Sequence, residues 1–212
     1  MTSHAYRAAR LFVARHQPAL RDAELLQRAI RKSISTSPEA FLKTVDDVDN
    51  KSMDYWEKEI DSSTWVVIQR RREVVGIAVS RWPDYEIDRD VDPTTTRFIE
   101  SVWISPKLRR HGMGERLVRY LIEVECKRYE DVKQFLLCVF KENDRAIGLY
   151  ERIGFMHEHE QQVMRGKTEL RVEYLMKLDA AANPSNLEAN QAGRQEDLRQ
   201  FGVAYRILRV TA

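Results

Sequence analysis

The sequence is short of glycine: eight residues among 212. It is also short of cysteine, with only Cys126 and Cys138. Neither belongs to a CxxC pair, so the chain carries no zinc-ribbon or dithiol signature. Two unpaired thiols suit a reducing compartment, and the expected location is the cytoplasm. There is no excess of charge: 35 basic against 33 acidic side chains leave a formal +2. That balance gives no global field for nucleic acid or an anionic membrane, and neither is expected as a partner. No run approaches the ~20 apolar residues of a spanning helix. The opening MTSHAYRAARLFVARHQP has no unbroken apolar core of the signal-peptide kind. What remains, 43% hydrophobic and 32% charged, is an ordinary globular composition with enough length for one good-sized domain.

Residues 10–15 read as a short first strand. Residues 18–33 place Leu20, Ala23, Leu26, Ala29 and Ile30 at helical spacing. A second helical stretch, roughly 38–60, is interrupted by DDVDNKS. TWVVIQ and VVGIAVS around RRRE predict a hairpin over 64–80. A polar loop with two prolines leads to a strand at 98–105 and an amphipathic helix at 114–129. FLLCVF, 135–140, is apolar throughout, as expected of a central parallel strand covered on both faces. A short helix from about Asp144 stops at Gly154, and a last hairpin turns at GK, 166–167.

Two of the few glycines fall in RRHGMGERL, Arg109 to Leu117. The loop follows a strand and opens a helix inside a βαβ unit. Free backbone N–H groups and the positive end of the helix dipole converge there. Glycine allows close backbone approach, and Arg109, Arg110 and His111 add positive charge. The loop therefore reads as an anion site, with phosphate the natural guest. The Rossmann pattern fails, because Leu117 stands where its third glycine belongs, and GxxxxGK[ST] is absent. Taken alone, the loop has a second reading as a tight loop whose glycines only turn the chain.

Together with the downstream segment, the loop resembles the GNAT superfamily of N-acetyltransferases. The first motif is Arg109-x-x-Gly112-x-Gly114. The second is Asn143-x-x-Ala146-x-x-x-Tyr150-x-x-x-Gly154-Phe155. The resemblance covers about residues 64–178. The N-terminal strand and helices follow the family order more loosely, and 180–212 fall outside it. It implies a GNAT-like α/β domain over 1–179: a mixed, mostly antiparallel sheet with helices on both faces. One parallel strand pair would splay at an acyl-CoA cleft, usually at a bulge in the earlier strand. Acetyl-CoA would be the cosubstrate, with no metal. The amides of Arg109, Arg110, His111, Gly112, Met113 and Gly114 would hold its pyrophosphate. The pantetheine arm would pair with the backbone of Val102, Trp103 and Ile104, and Asn143 would hydrogen-bond that arm.

The implied reaction is attack of a neutral amine on the thioester carbonyl. An alkylammonium must lose a proton and the departing thiolate must be protonated or stabilised. By the family motif Tyr150 is the general acid and also touches the cofactor. Glu100 is the candidate base, on a strand face with Phe98, Val102 and Ile104. A branch that acetylates protein N-termini has a glutamate five residues before the motif asparagine. Here that position is Cys138, which argues against that branch. Cys138 as an acyl-carrying nucleophile is the rival of a plain buried core thiol. The expected activity is direct acetyl transfer, in a ternary complex, to a small-molecule amine. The alternatives are a protein lysine or N-terminal acetyltransferase and a non-catalytic acyl-CoA-binding module.

The remaining features read more plainly. Arg70, Arg71 and Arg72 form a solvated turn. His157 and His159 lack a third metal ligand. Trp56, Trp65 and Trp103 belong to the core, whereas Trp82 could line an acceptor pocket. SPEAFLKT, 37–44, lies where the family's first helices shape the acceptor site, and the acidic 83–92 segment could attract a cation. After Asp179 a small, polar linker leads to the apolar 201–210. That stretch needs a cover: an edge position on the parent domain, or a second subunit in a homodimer.

Overall fold

The computed structural model describes residues 20–182, apart from 85, 87, 89 and 167, and residues 203–208. The expected strand at 10–15 lies outside the described residues. Helix α1 (Leu20–Thr36) buries Ala23, Leu26, Ala29, Ile30 and Ile34 along one stripe. The second helical stretch resolves into a 3-10 turn (Pro38–Ala40), α2 (Val45–Asp49) and α3 (Met53–Ser62). The acidic DDVD is itself helical, because Thr44 and Asp47 form a capping box ahead of it. The chain leaves helical structure at 41–44 and again at 50–52.

Strands β1 (Ser63–Arg70) and β2 (Glu73–Arg81) form the expected hairpin. Its turn residues Arg71 and Arg72 have φ of 49° and 70°, a left-handed pair that glycine or asparagine would fill without strain. Then follow β3 (Thr96–Ile104), α4 (Met113–Arg128), β4 (Gln134–Phe140), α5 (Asp144–Ile153), β5 (Met156–Arg165) and β6 (Glu169–Asp179). β7 (Val203–Leu208) closes the sheet, whose strand order is β5-β6-β4-β3-β2-β1-β7. Every pairing is antiparallel except β3–β4. The apolar tail thus finds its cover on its own sheet, at the outer edge of β1. Tyr205 of β7 stacks on Tyr120 of α4, and Arg206 ion-pairs with the buried Asp22 of α1.

Alternate residues of β1 face opposite ways. Trp65 and Val67 join the core beneath α1 and α3, while Val66 and Ile68 join the core beneath α4 and α5. The sheet is therefore covered on both faces. Among the described residues no helix is long and apolar enough to cross a membrane. The covering of β4 is less complete than its apolar sequence implied. Cys138 is exposed, where a buried core thiol was expected.

The parallel pair is short. Only Thr96–Phe98 of β3 register with Gln134–Leu136 of β4. Beyond them both strands continue, unpaired to each other, to Ile104 and Phe140. A bulge lies in the unpaired part of β3: Trp103 opposes Ile77 and Glu100 opposes Val79, so Ser101 and Val102 face the single residue Ala78. Ser101 takes φ 53° to make that bend. The extra residue reverses the alternation. Glu100 shares a face with Trp103 toward α1 and α3, not with Val102 and Ile104, which pack on the opposite core.

Beside the stretch where β3 and β4 pair, a buried ion pair ties β3 to α4. Arg97 and Glu125 are 1% and 0% exposed, with Nε and Oε2 2.5 Å apart. The guanidinium also donates to the Ser80 hydroxyl and carbonyl of β2, and lies 4.4 Å over the Trp82 ring. Trp82 is thereby engaged at the closed end of the sheet and is not among the residues that line the cavity described below.

Two stability outcomes follow from this construction. Glu125→Ala leaves Arg97 buried without its counter-charge and should cost about 3–5 kcal/mol in equilibrium denaturation. Arg71→Asn with Arg72→Gly relieves the left-handed turn and should add about 1 kcal/mol, with no change in cofactor binding.

Candidate functional site

The 3-10 turn Pro106–Leu108 and the loop after it deliver the chain into α4. Gly112 is the N-cap at φ 71°, and Arg110 is also left-handed at 66°. A Cβ on Gly112 would meet nothing closer than 3.9 Å, so conformation and not space demands glycine there. Gly114 is the converse. Its Cβ would stand 2.7 Å from Leu149 Cδ1 of α5, so its absence lets the two helices approach. The amide of Arg116 donates to Gly112 O. The amides of Met113, Gly114 and Glu115 precede that bond and have no carbonyl one turn back to receive them. A 16-residue helix adds its dipole behind them.

These amides border a cavity of about 570 Å³. One wall is the unpaired end of β3, Val102 to Ile104, and another is α5 with Asn143 and Tyr150. The third comes from the end of α1 and the 3-10 turn after it, at Ser37, Glu39 and Ala40. The cavity is open to an extended chain along bare strand backbone, and its mouth carries helix N–H groups. It fits a pantetheine arm ending in a pyrophosphate.

The loop's basic residues do not all serve as the charge pattern suggested. Arg109 turns inward: Nε donates to Ile104 O at 2.9 Å and Nη2 to the Ser37 hydroxyl. Arg110 is exposed and lines the cavity, whereas His111 is exposed and does not. Asn143 caps α5, its Oδ1 accepting from Ala146 N at 3.3 Å, which leaves its NH₂ group as the donor toward the cavity. Tyr150 is 7% exposed, lies edge-on to Phe155 and lines the cavity. Burial pushes its phenol well above the ordinary tyrosine value, so it stays protonated and able to donate.

Glu100 stands apart from the cavity lining. The bulge points it to the α1–α3 face, where Arg81 holds it at 2.7 Å and also binds Asp88 at 2.9 Å. Burial pushes the nearby Tyr55 phenol up to about 12, with Glu59 and Glu100 acting the same way. Cys138 reaches solvent. The protein packed around it nevertheless pushes the thiol well above its ordinary value, and Glu173, Glu100 and Asp88 reinforce that. A thiol so held is a poor nucleophile. His157 packs edge-on to Tyr174, and a register shift separates it from His159.

Two wall residues escaped the sequence reading. Arg171 of β6 lies 4.4 Å over the Phe140 ring, held by Glu142 and Glu169, and both Arg171 and Phe140 line the cavity. Ser37 was visible only as one residue of a segment expected to shape the acceptor site.

The model of the acetyltransferase (GNAT) family matches residues 24–155, more than half of the chain. The fold is similar to that of a GNAT-family acetyltransferase from Streptococcus pneumoniae, with TM-score 0.61 at 18% identity over 77% of this chain and 96% of that one. It is similar to yncA of Salmonella typhimurium, solved with its cofactor acetyl-CoA: TM-score 0.59, 18% identity, 78% and 92% covered. Spermidine N-acetyltransferase from Vibrio cholerae, in complex with CoA and spermine, gives TM-score 0.55 at 15% identity over 76% and 90%. The family match, the parallel pair opened at a bulge and the glycine loop at the mouth of the gap lead to one conclusion: the chain belongs to the GNAT family of acetyltransferases.

Proposed function

We propose that the protein is an acetyl-CoA-dependent N-acetyltransferase that transfers the acetyl group to a primary amine of a small molecule, directly, in a ternary complex. The observation that carries this reading is the convergence on one cavity of the α4 amides, the unpaired backbone of β3 and a protonated Tyr150. The complex of the Vibrio relative with CoA and spermine supports a small amine as acceptor.

In this reading the amides of 109–114 bind the pyrophosphate, with Arg110 beside it and Arg109 setting the loop from behind. Val102, Trp103 and Ile104 pair with the pantetheine amides, and the Asn143 NH₂ group donates to the same arm. The cosubstrate supplies an activated acyl group. Tyr150 donates its proton to the departing sulfur, which the raised phenol retains until that moment. Glu100 takes the proton of the attacking amine through water, from the α1–α3 side of the gap, while Arg81 fixes its carboxylate. The thiol of Cys138, held protonated by its raised value, takes no part.

Acetyl-CoA and CoA should each raise the melting temperature, by the equivalent of about 2.7 kcal/mol at 100 times the dissociation constant, while NADH and ATP leave it in place. With a turned-over amine in hand, Tyr150→Phe should lower kcat about 100-fold or more with acetyl-CoA affinity nearly constant; an unchanged kcat removes Tyr150 as the acid. The direction of the Tyr150 shift also sets the basic side of the profile. The raised phenol remains protonated above its ordinary value near 10, so kcat should not fall through loss of that proton below about pH 10. Glu100→Gln should lower kcat with acetyl-CoA affinity nearly constant, and an unchanged kcat assigns the base elsewhere.

A further inference from the structure

The cavity wall formed by residues 37–41 is held in an unusual way. Its 3-10 turn, Pro38–Ala40, buries no residue, and Phe41 is only half-buried against the α1–α3 core. Apolar burial therefore does little to fix the turn, which places it at the low end of local stability. Two arginines from distant parts of the chain hold it instead. Arg165 of β5 donates to the carbonyls of Pro38 at 2.8 Å and Phe41 at 3.0 Å, with its remaining nitrogen on Glu169. Arg109 of the α4 loop donates to the hydroxyl of Ser37, the residue on which the turn begins.

Ser37 is the junction. It is 1% exposed, and its hydroxyl caps no helix. It receives instead two donors, Arg109 Nη2 and, at 3.3 Å, Trp103 Nε1 of the bulged strand. Arg109 Nε is at the same time bound to Ile104 O, the last carbonyl of that strand. One side chain thus joins the loop that opens α4, the unpaired end of β3 and the wall that faces both across the cavity. Bonds from a charged guanidinium are among the stronger ones available, and here they are shielded.

We propose that Ser37 and Arg165 are positioning residues that hang the acceptor-side wall, and that the Arg109–Ser37 bond couples that wall to occupancy of the cofactor loop. Binding that orders the loop orders residues 38–44 through this bond, and the wall then faces the thioester in a defined place. Arg165 holds the other end whether or not the cofactor is bound. The proposal rests on the acetyl-CoA reading above.

Hydrogen exchange of amides 39–44, followed by mass spectrometry on the full chain, tests it without knowledge of the acceptor. Each variant is measured without ligand and at saturating CoA, with saturation set by its own melting shift. In the wild type CoA should slow exchange of 39–44 severalfold. Ser37→Ala should lose that response, and Ser37→Thr, which keeps the hydroxyl, should restore it. Arg165→Ala should exchange faster in both states yet still respond to CoA. An undiminished response in Ser37→Ala, or an unaltered basal rate in Arg165→Ala, overturns the corresponding half. A wild type whose melting temperature ignores CoA fails the acetyl-CoA reading instead, and the Arg165 comparison still decides whether the wall is hung as described.

Discussion

The strand that opens the site is anchored by a buried ion pair that lies away from it. A sheet can open a gap between two strands only if they are firmly joined somewhere else. Arg97 and Glu125 stand where β3 and β4 make their only three pairings, and Ser80, Trp82 and Tyr129 complete the enclosure. The guanidinium ties β3 to β2 and to α4 at once. A hydrophobic contact there would contribute cohesion without direction, whereas the bonded pair fixes three elements relative to one another. Burying these charges has its own desolvation cost, and its return is geometric.

From that fixed end the site follows by divergence. The bulge at Ser101–Val102 lies where β3 has parted from β4, and the β4-facing side of β3 has no strand partner there. The helix after it presents N–H groups at the wide end. Dipole, amides and exposed Arg110 supply positive potential at the mouth, while Val102, Ile104, Leu149 and Tyr150 give the wall its apolar part. An extended ligand with one anionic segment is the complement of that gradient.

Much of this was legible in the sequence. Periodicity located the described helices and strands, and the paired glycine and Asn–Tyr–Gly motifs placed the loop and α5. Three features were not legible, each for a physical reason. FIESVWI runs as an apolar pair, a polar pair and an apolar triplet, so no period of two fixes the face that Glu100 takes or marks the residue that slips register. Arg97 lies just outside the strand expected at 98–105, and its burial depends on a glutamate from the helix that follows that strand. The split duty of the loop's basic residues, Arg109 inward and Arg110 outward, hangs on a left-handed φ at Arg110 that no residue type announces.

The position of β7 bears on how the molecule is made. Trp65 pairs with Leu208, so one edge of the sheet stays open until nearly the whole described chain has left the ribosome. Until then β1 offers a row of unclaimed amides and carbonyls flanked by Trp65, Val66, Val67 and Ile68, the kind of surface on which nascent chains associate. The closing contact is also among the most distant in sequence, which makes it late and slow. Synthesis of this protein therefore has a vulnerable interval whose length is set by the translation time of everything between the two strands.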